Sequence, residues 1–121
     1  MDWELDNNSP IYIQLVEIIK LKIVSSEMPP GSKLSSVRDM AQEAGVNPNT
    51  MQKALAELER QELVYSQRTS GRFVTEDKQK TADMRKKIAD SEINNLKEKL
   101  SKLGYVKDEI IELISENLTN S

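Results

Sequence analysis

Between residues 47 and 53 the chain sets Asn47, Asn49, Thr50 and Gln52 beside Lys53. Asn and Gln amides can bond bidentately to the major-groove edge of adenine, Thr can bond a base edge or touch a thymine methyl, and Lys can reach guanine or phosphate. On a helix whose Met51, Leu55 and Leu58 face a core, the residues pointing away are Asn49, Lys53, Ala56 and Arg60, with Thr50 and Gln52 at the edges. Ala56 would let a backbone come close. Upstream, Arg38 is placed near a helix start whose free N–H groups suit a phosphate, where it would anchor register rather than read sequence. Downstream, Arg68 and Arg72 flank a polar turn and would suit phosphate or minor-groove contact. These residue types also populate ordinary solvated surfaces, so the elements that carry them must decide.

Catalytic chemistry has little to work with. The chain contains neither His nor Cys, which removes the commonest general base, the commonest transition-metal ligand, thiolate nucleophiles and disulfides. The 20 acidic residues lie mostly within a helical turn of a Lys or Arg, as on solvated helix faces, and mark no metal site. No glycine-rich phosphate loop is present. No catalytic residue, metal or cofactor is expected.

The carrying elements are legible from start and stop signals. Ser36 can cap a helix with Asp39 reaching back, and Val37, Met40, Ala41 and Ala44 fall at i, i+3, i+4 and i+7. Gly45 closes it, and one residue later Asn47-Pro48 supplies a cap and a first-position proline for a helix burying Met51, Ala54, Leu55 and Leu58. Two short amphipathic helices joined by a tight Gly-containing turn make a helix-turn-helix from Ser36 to Leu58, although a helical hairpin in some other bundle has the same spacing. A β-prone run Leu63–Gln67, a polar turn Arg68–Gly71 and a second run Arg72–Thr75 then predict a hairpin, the wing of a winged helix. Ahead of all this, Ser9-Pro10 announces a first helix, with Ile11, Tyr12, Leu15, Val16, Ile18, Ile19 and Ile23 apolar over more than half its circumference. Such a helix is expected to be the spine of the domain, ended by Met28-Pro29-Pro30-Gly31.

Past Thr75 the composition is highly charged through Glu76–Lys87, and then Ile93, Leu96, Leu100 and Leu103 repeat at spacings of three, four and three, a heptad seam. Gly104 breaks it, and Val106, Ile110, Leu113, Ile114 and Leu118 mark a short final helix. The economical occupant for these stripes is the same segment of a second chain, the alternative being a hairpin folded back on its own domain.

Length and composition agree with this layout. In 121 residues there is room for one compact domain and an appended element, and 37% hydrophobic residues with few aromatics favour a helical protein with an aliphatic core. No apolar run approaches a membrane span and the start lacks a signal-peptide layout, so the cytoplasm is the expected compartment. The net charge of −3 does not advertise a polyanion binder. It is unevenly spread: residues 1–32 carry two basic and five acidic side chains, residues 33–75 six and five, and residues 76–121 nine and ten. The middle third is the least acidic, a pattern that speaks for recognition by polar contacts rather than by strong electrostatic attraction.

Taken together, Ser36-Val37-Arg38-Asp39-Met40-Ala41, Val46-Asn47-Pro48-Asn49-Thr50-Met51 and Gly71-Arg72-Phe73-Val74 resemble the GntR family of bacterial winged-helix regulators. The segments Asp2–Asp6 and Pro10-Ile11-Tyr12, with a short tail containing Gly104-Tyr105 before Asp108-Glu109-Ile110, look like its YtrA subfamily. The resemblance implies DNA contacts at Arg38, Asn47, Pro48, Asn49, Gln52, Arg68, Thr69 and Gly71, repression at a palindromic operator, and a tail that dimerises.

The expected fold is mainly α with a small β-hairpin wing, a winged helix-turn-helix over residues 1–75, followed by a short C-terminal α-helical dimerisation segment over 76–121. The expected function is that of a sequence-specific DNA-binding regulator, a repressor acting as a homodimer on a pseudo-palindromic operator of double-stranded DNA. A winged helix used for protein or RNA contacts, with the tail as a coiled platform, is the competing class. No residue cluster marks a site for a small-molecule effector.

Overall fold

The computed structural model describes residues 3–121. Seven elements follow one another: α1 (Ile11–Val24), α2 (Val37–Ala44), α3 (Pro48–Arg60), β1 (Val64–Gln67), β2 (Gly71–Val74), α4 (Lys78–Lys102) and α5 (Lys107–Thr119). They fall into two compact units, the first running to Arg85 and the second from Lys86 to Ser121.

In the first unit the apolar stripe of α1 lies principally against α3, and α2 closes over α3 from another side. Leu15, Val16, Ile19 and Ile23 meet Met40, Ala41, Met51, Ala54, Leu55 and Leu58 in one core, completed by Leu34, Leu63, Val64 and Val74. The wide stripe of α1 is thus used as the sequence implies. Its start differs from expectation. Pro10, not Ser9, is the N-cap and offers no side-chain bond. The Gln14 side chain does the work of ordering this end: its Nε2 donates to the carbonyls of Asp6 and Ser9, and its Oε1 accepts from the Asp6 N–H. Ser9 is engaged through its carbonyl, so its hydroxyl is not the cap.

The helix-turn-helix forms where the caps place it. Ser36 Oγ accepts the Asp39 N–H at 3.1 Å, which ties down one of the unpaired donors of the first turn of α2. The reciprocal bond from Asp39 is not made. Gly45 ends α2 with φ +72° and ψ +35°, the left-handed conformation that an L side chain resists. Asn47 Oδ1 accepts the Asn49 N–H at 2.8 Å and Pro48 takes the first helical position of α3.

β1 and β2 pair antiparallel with Val64 opposite Val74, Tyr65 opposite Phe73, Ser66 opposite Arg72 and Gln67 opposite Gly71. The Tyr65 and Phe73 rings stack with centroids 5.7 Å apart, holding one face of the hairpin. The return strand opens at Gly71, one residue earlier than the sequence indicates. A feature outside the sequence reading is a third extended segment alongside β2. The Leu34 N–H donates to Arg72 C=O, the Val74 N–H to Ser32 C=O and the Gly31 N–H to Val74 C=O. This bracing sits between Pro30 and the cap at Ser36, where short polar residues carry no strand pattern.

Rather than beginning after the charged run, α4 includes most of it, starting at Lys78 after the Asp77 side chain accepts the Lys80 N–H. Its first turns belong to the first unit: Lys80 Nζ reaches Glu62 at 2.5 Å and Met84 packs against the core. In the second unit, Gly104 adopts φ +100° and the Tyr105 N–H returns to Leu100 C=O, ending α4. Glu109 then accepts the Val106 N–H at the start of α5. None of the side chains of α4 or α5 is buried in the single chain. Ile93, Leu96 and Leu103 remain 53%, 43% and 73% exposed.

Candidate nucleic-acid interface

The outward face of α3 is built by what its inward face buries. Met51, Ala54, Leu55 and Leu58 are at or near zero exposure, which fixes the helix in rotation. Asn49, Gln52, Lys53 and Ala56 are consequently exposed, with Pro48 beside them at the N-terminal end and Thr50 half-buried at the edge. Arg60 shares the face but is engaged: its Nε and a terminal nitrogen contact Glu57 at 2.8 and 2.5 Å. That bidentate contact, with a further bond from Gln61, holds the Glu57 carboxyl down at about 2 and raises the Arg60 guanidinium above its ordinary value.

The amides differ in what they have free. Asn47 is exposed, but its Oδ1 caps α3, so only the NH2 remains to donate. Asn49 and Gln52 make no side-chain hydrogen bond within the described residues, leaving donor and acceptor both available for the two-point contact an adenine edge requires. Lys53 lies with Nζ 3.9 Å from the centroid of the Tyr12 ring on α1. An exposed cation–π contact of this kind is worth about 0.5–1 kcal/mol, so moving the ammonium to a phosphate costs little.

Arg38 is exposed on the first turn of α2. Arg68, Thr69 and Gly71 are exposed at the tip of the hairpin. Residues Thr69–Arg72 face the stretch Lys33–Val37 across an open cleft of about 580 Å³. Arg72 stands apart from the tip. Its side chain is 22% exposed and Nε lies 3.5 Å from Glu59 Oε1. The geometry therefore gathers Asn49, Gln52 and Lys53 on one face with Arg38 at a neighbouring helix start and Arg68 and Thr69 on the hairpin, while Arg72 points back to α3.

Lys33 was not signalled by the sequence. It is exposed, lines the cleft, and its side chain crosses Gly71 so closely that a Cβ there would stand 3.1 Å from Cε. A single Lys in a polar loop has no periodicity to mark it, and only the pairing of residues 31–34 with β2 brings it to the wing. Among the described residues, Lys33, Arg38, Lys53 and Arg68 make no ion pair, unlike Arg60 and Arg72. No group of three or more metal-ligating side chains occurs among the described residues, and no helix is long and apolar enough to cross a membrane.

Comparison with known proteins agrees with this arrangement. The family of bacterial regulatory proteins named for GntR matches residues 11–74, which span α1 through β2. The HTH-type transcriptional regulator YhcF of Bacillus subtilis is 34% identical over 112 residues, 93% of each chain. The HTH-type transcriptional repressor YtrA of the same organism is 33% identical over 97 residues, covering 80% of this chain and 70% of that protein. Among solved structures, a GntR-family regulator from Listeria monocytogenes superposes with a TM-score of 0.86 at 39% identity, covering 93% of this chain and 98% of that one. The DNA-binding domain of AraR in complex with operator ORR3 matches 62% of this chain and 93% of that one at 30% identity, with a TM-score of 0.52. A helix-turn-helix with a paired wing, matched by the family over that whole stretch, makes the chain a DNA-binding transcriptional regulator of the GntR family.

Proposed function

We propose that the protein is a repressor that binds a pseudo-palindromic operator as a homodimer, reading sequence with Asn49 and Gln52 and positioning itself with Arg38, Lys53, Arg68 and Thr69. The observation that carries this is the outward face of α3, where, among the described residues, two unengaged amides stand beside a cation held only by an aromatic ring. Recognition helices present their N-terminal residues to the groove, and these are N-terminal. Asn47 and Thr50 add a donor amide and a hydroxyl at the edge, Pro48 sets the helix start, and Gly71 lets the tip turn. Arg72 serves chiefly to hold the wing.

Dimerisation is assigned to residues 76–121, through Ile93, Leu96, Leu100 and Leu103 on α4 and Ile110, Leu113 and Ile114 on α5. An exposed seam of large aliphatic side chains favours a second copy, since two copies of one surface bury each other by symmetry. Two recognition helices would then meet half-sites about one helical turn apart. Repression is supported by YtrA, a named repressor similar over 80% of this chain. The site of action is the cytoplasm.

A gel-shift series with random duplex DNA and single-stranded RNA separates this reading from an RNA-binding or protein-binding winged helix. Retardation of duplex at lower protein concentration than RNA is expected. Preference for RNA, or retardation of neither, would overturn it.

A further inference from the structure

The inner end of the hairpin packs on α3 through Leu63, Val64 and Val74, and further out a carboxylate of α3 reaches both strands. Ser66 and Arg72 face each other across β1 and β2, and Glu59, in the last turn of α3, meets both. Its Oε1 accepts the Ser66 hydroxyl proton and lies 3.5 Å from Arg72 Nε. Among the described residues that nitrogen is shut away from solvent without a hydrogen-bond partner, and Glu59 is the carboxylate within ion-pair distance of it. The guanidinium as a whole keeps 22% exposure, but its inner nitrogen is cut off from water, and the Glu59 charge compensates it there, which gives the pair an energetic reason to stay closed.

The rest of the hairpin gives its tip little support. Each strand has four residues, and isolated two-stranded hairpins are marginal in water. The stacked pair Tyr65–Phe73 lies on the core side of Ser66–Arg72, and the backbone bonds from residues 31–34 end at Arg72. Beyond that point residues 67–71 have no backbone bond to the 31–34 segment among the described residues, and the flexible Lys33 side chain lies against Gly71. We infer that Glu59 is a positioning residue whose carboxylate clasps Ser66 and Arg72 together and so fixes where Arg68 and Thr69 stand relative to the outward face of α3. The inference rests on the DNA-binding reading, because a fixed tip matters only if the tip and the helix engage one duplex.

The test is a double-mutant cycle read by fluorescence anisotropy on a duplex that the unaltered chain has enriched from a random pool. Glu59→Ala is expected to weaken binding about tenfold when Arg68 is present and less than twofold in an Arg68→Ala background, because the loss acts through the tip. A general loss of structure lowers affinity by the same factor in both backgrounds, and that result, or no loss at all, overturns the inference. Should Glu59→Ala fail to fold by circular dichroism, Glu59→Gln is judged by the same criterion, since it keeps an acceptor for Ser66 and removes only the charge beside Arg72. Failure of the unaltered chain to enrich any duplex defeats the DNA-binding reading and the inference with it. Enrichment with an additive cycle defeats the inference alone.

Discussion

Truncation of the exposed seam on α4 offers the sharpest perturbation of the proposed assembly. Leu96 and Leu103 are one heptad apart and 43% and 73% exposed in the protomer. Full burial of a Leu side chain is worth about 1.5–3 kcal/mol relative to full exposure, so covering what remains gains about 1 kcal/mol at Leu96 and somewhat more at Leu103. An Ala retains part of that area. With both sites counted in both copies, Leu96→Ala/Leu103→Ala should cost about 3 kcal/mol of association, or about a hundredfold in Kd. Because neither side chain is buried in the protomer, the fold of residues 3–85 should survive. Sedimentation velocity over a dilution series measures the shift directly, and circular dichroism at each concentration checks the fold. An unaltered dissociation midpoint would refute assignment of the seam to the dimer. A monomeric parent chain at the highest concentrations would refute dimerisation altogether.

Asn49→Ala should weaken binding to the enriched duplex by about 10–100-fold while leaving random duplex nearly unchanged, because it removes a base contact and no charge; anisotropy on both DNAs checks this, and equal losses would exclude a reading role. Operator affinity should fall with salt more gently than for a strongly basic repressor, since the unpaired cations at the proposed interface are Lys33, Arg38, Lys53 and Arg68 of each copy among the described residues, and a log–log slope implying ten or more neutralised phosphates would contradict the cation assignment. Gly45→Ala should destabilise the first unit by about 1 kcal/mol in urea denaturation. Its φ of +72° strains any L residue although nothing lies within 4 Å of the added methyl. Glu57, lowered from 4.5 to about 2 by Arg60 and Gln61, contributes stability that is present above pH 4.5 and is lost as pH falls toward about 2. Carboxyl chemical shifts should show Arg60→Ala moving that titration upward.

Much of the winged helix could be read from punctuation. Ser36, Gly45, Asn47 and Pro48 act on their own backbones, so their meaning is local and survives without tertiary context. The apolar periods of α1, α2 and α3 likewise report burial directly. Where the physics is non-local, the sequence was mute. The pairing of Ser32 and Leu34 with β2 depends on a partner forty residues away, and with it came Lys33 at the cleft. The charge of Arg72 suggested a phosphate contact, but its cross-strand position beside Ser66 turned it toward Glu59. Asn47 could be recognised both as a cap and as a reader, and only the geometry shows its oxygen spent on the cap. Ser9 had the right residue type at the right spacing, yet Gln14 reached that end of α1 first.

Selection of bound duplexes from a random DNA pool, followed by sequencing, tests the central claim most directly. The account predicts enrichment of one pseudo-palindrome with half-sites about one helical turn apart. Enrichment of a single unrepeated site, or of no sequence, would contradict it.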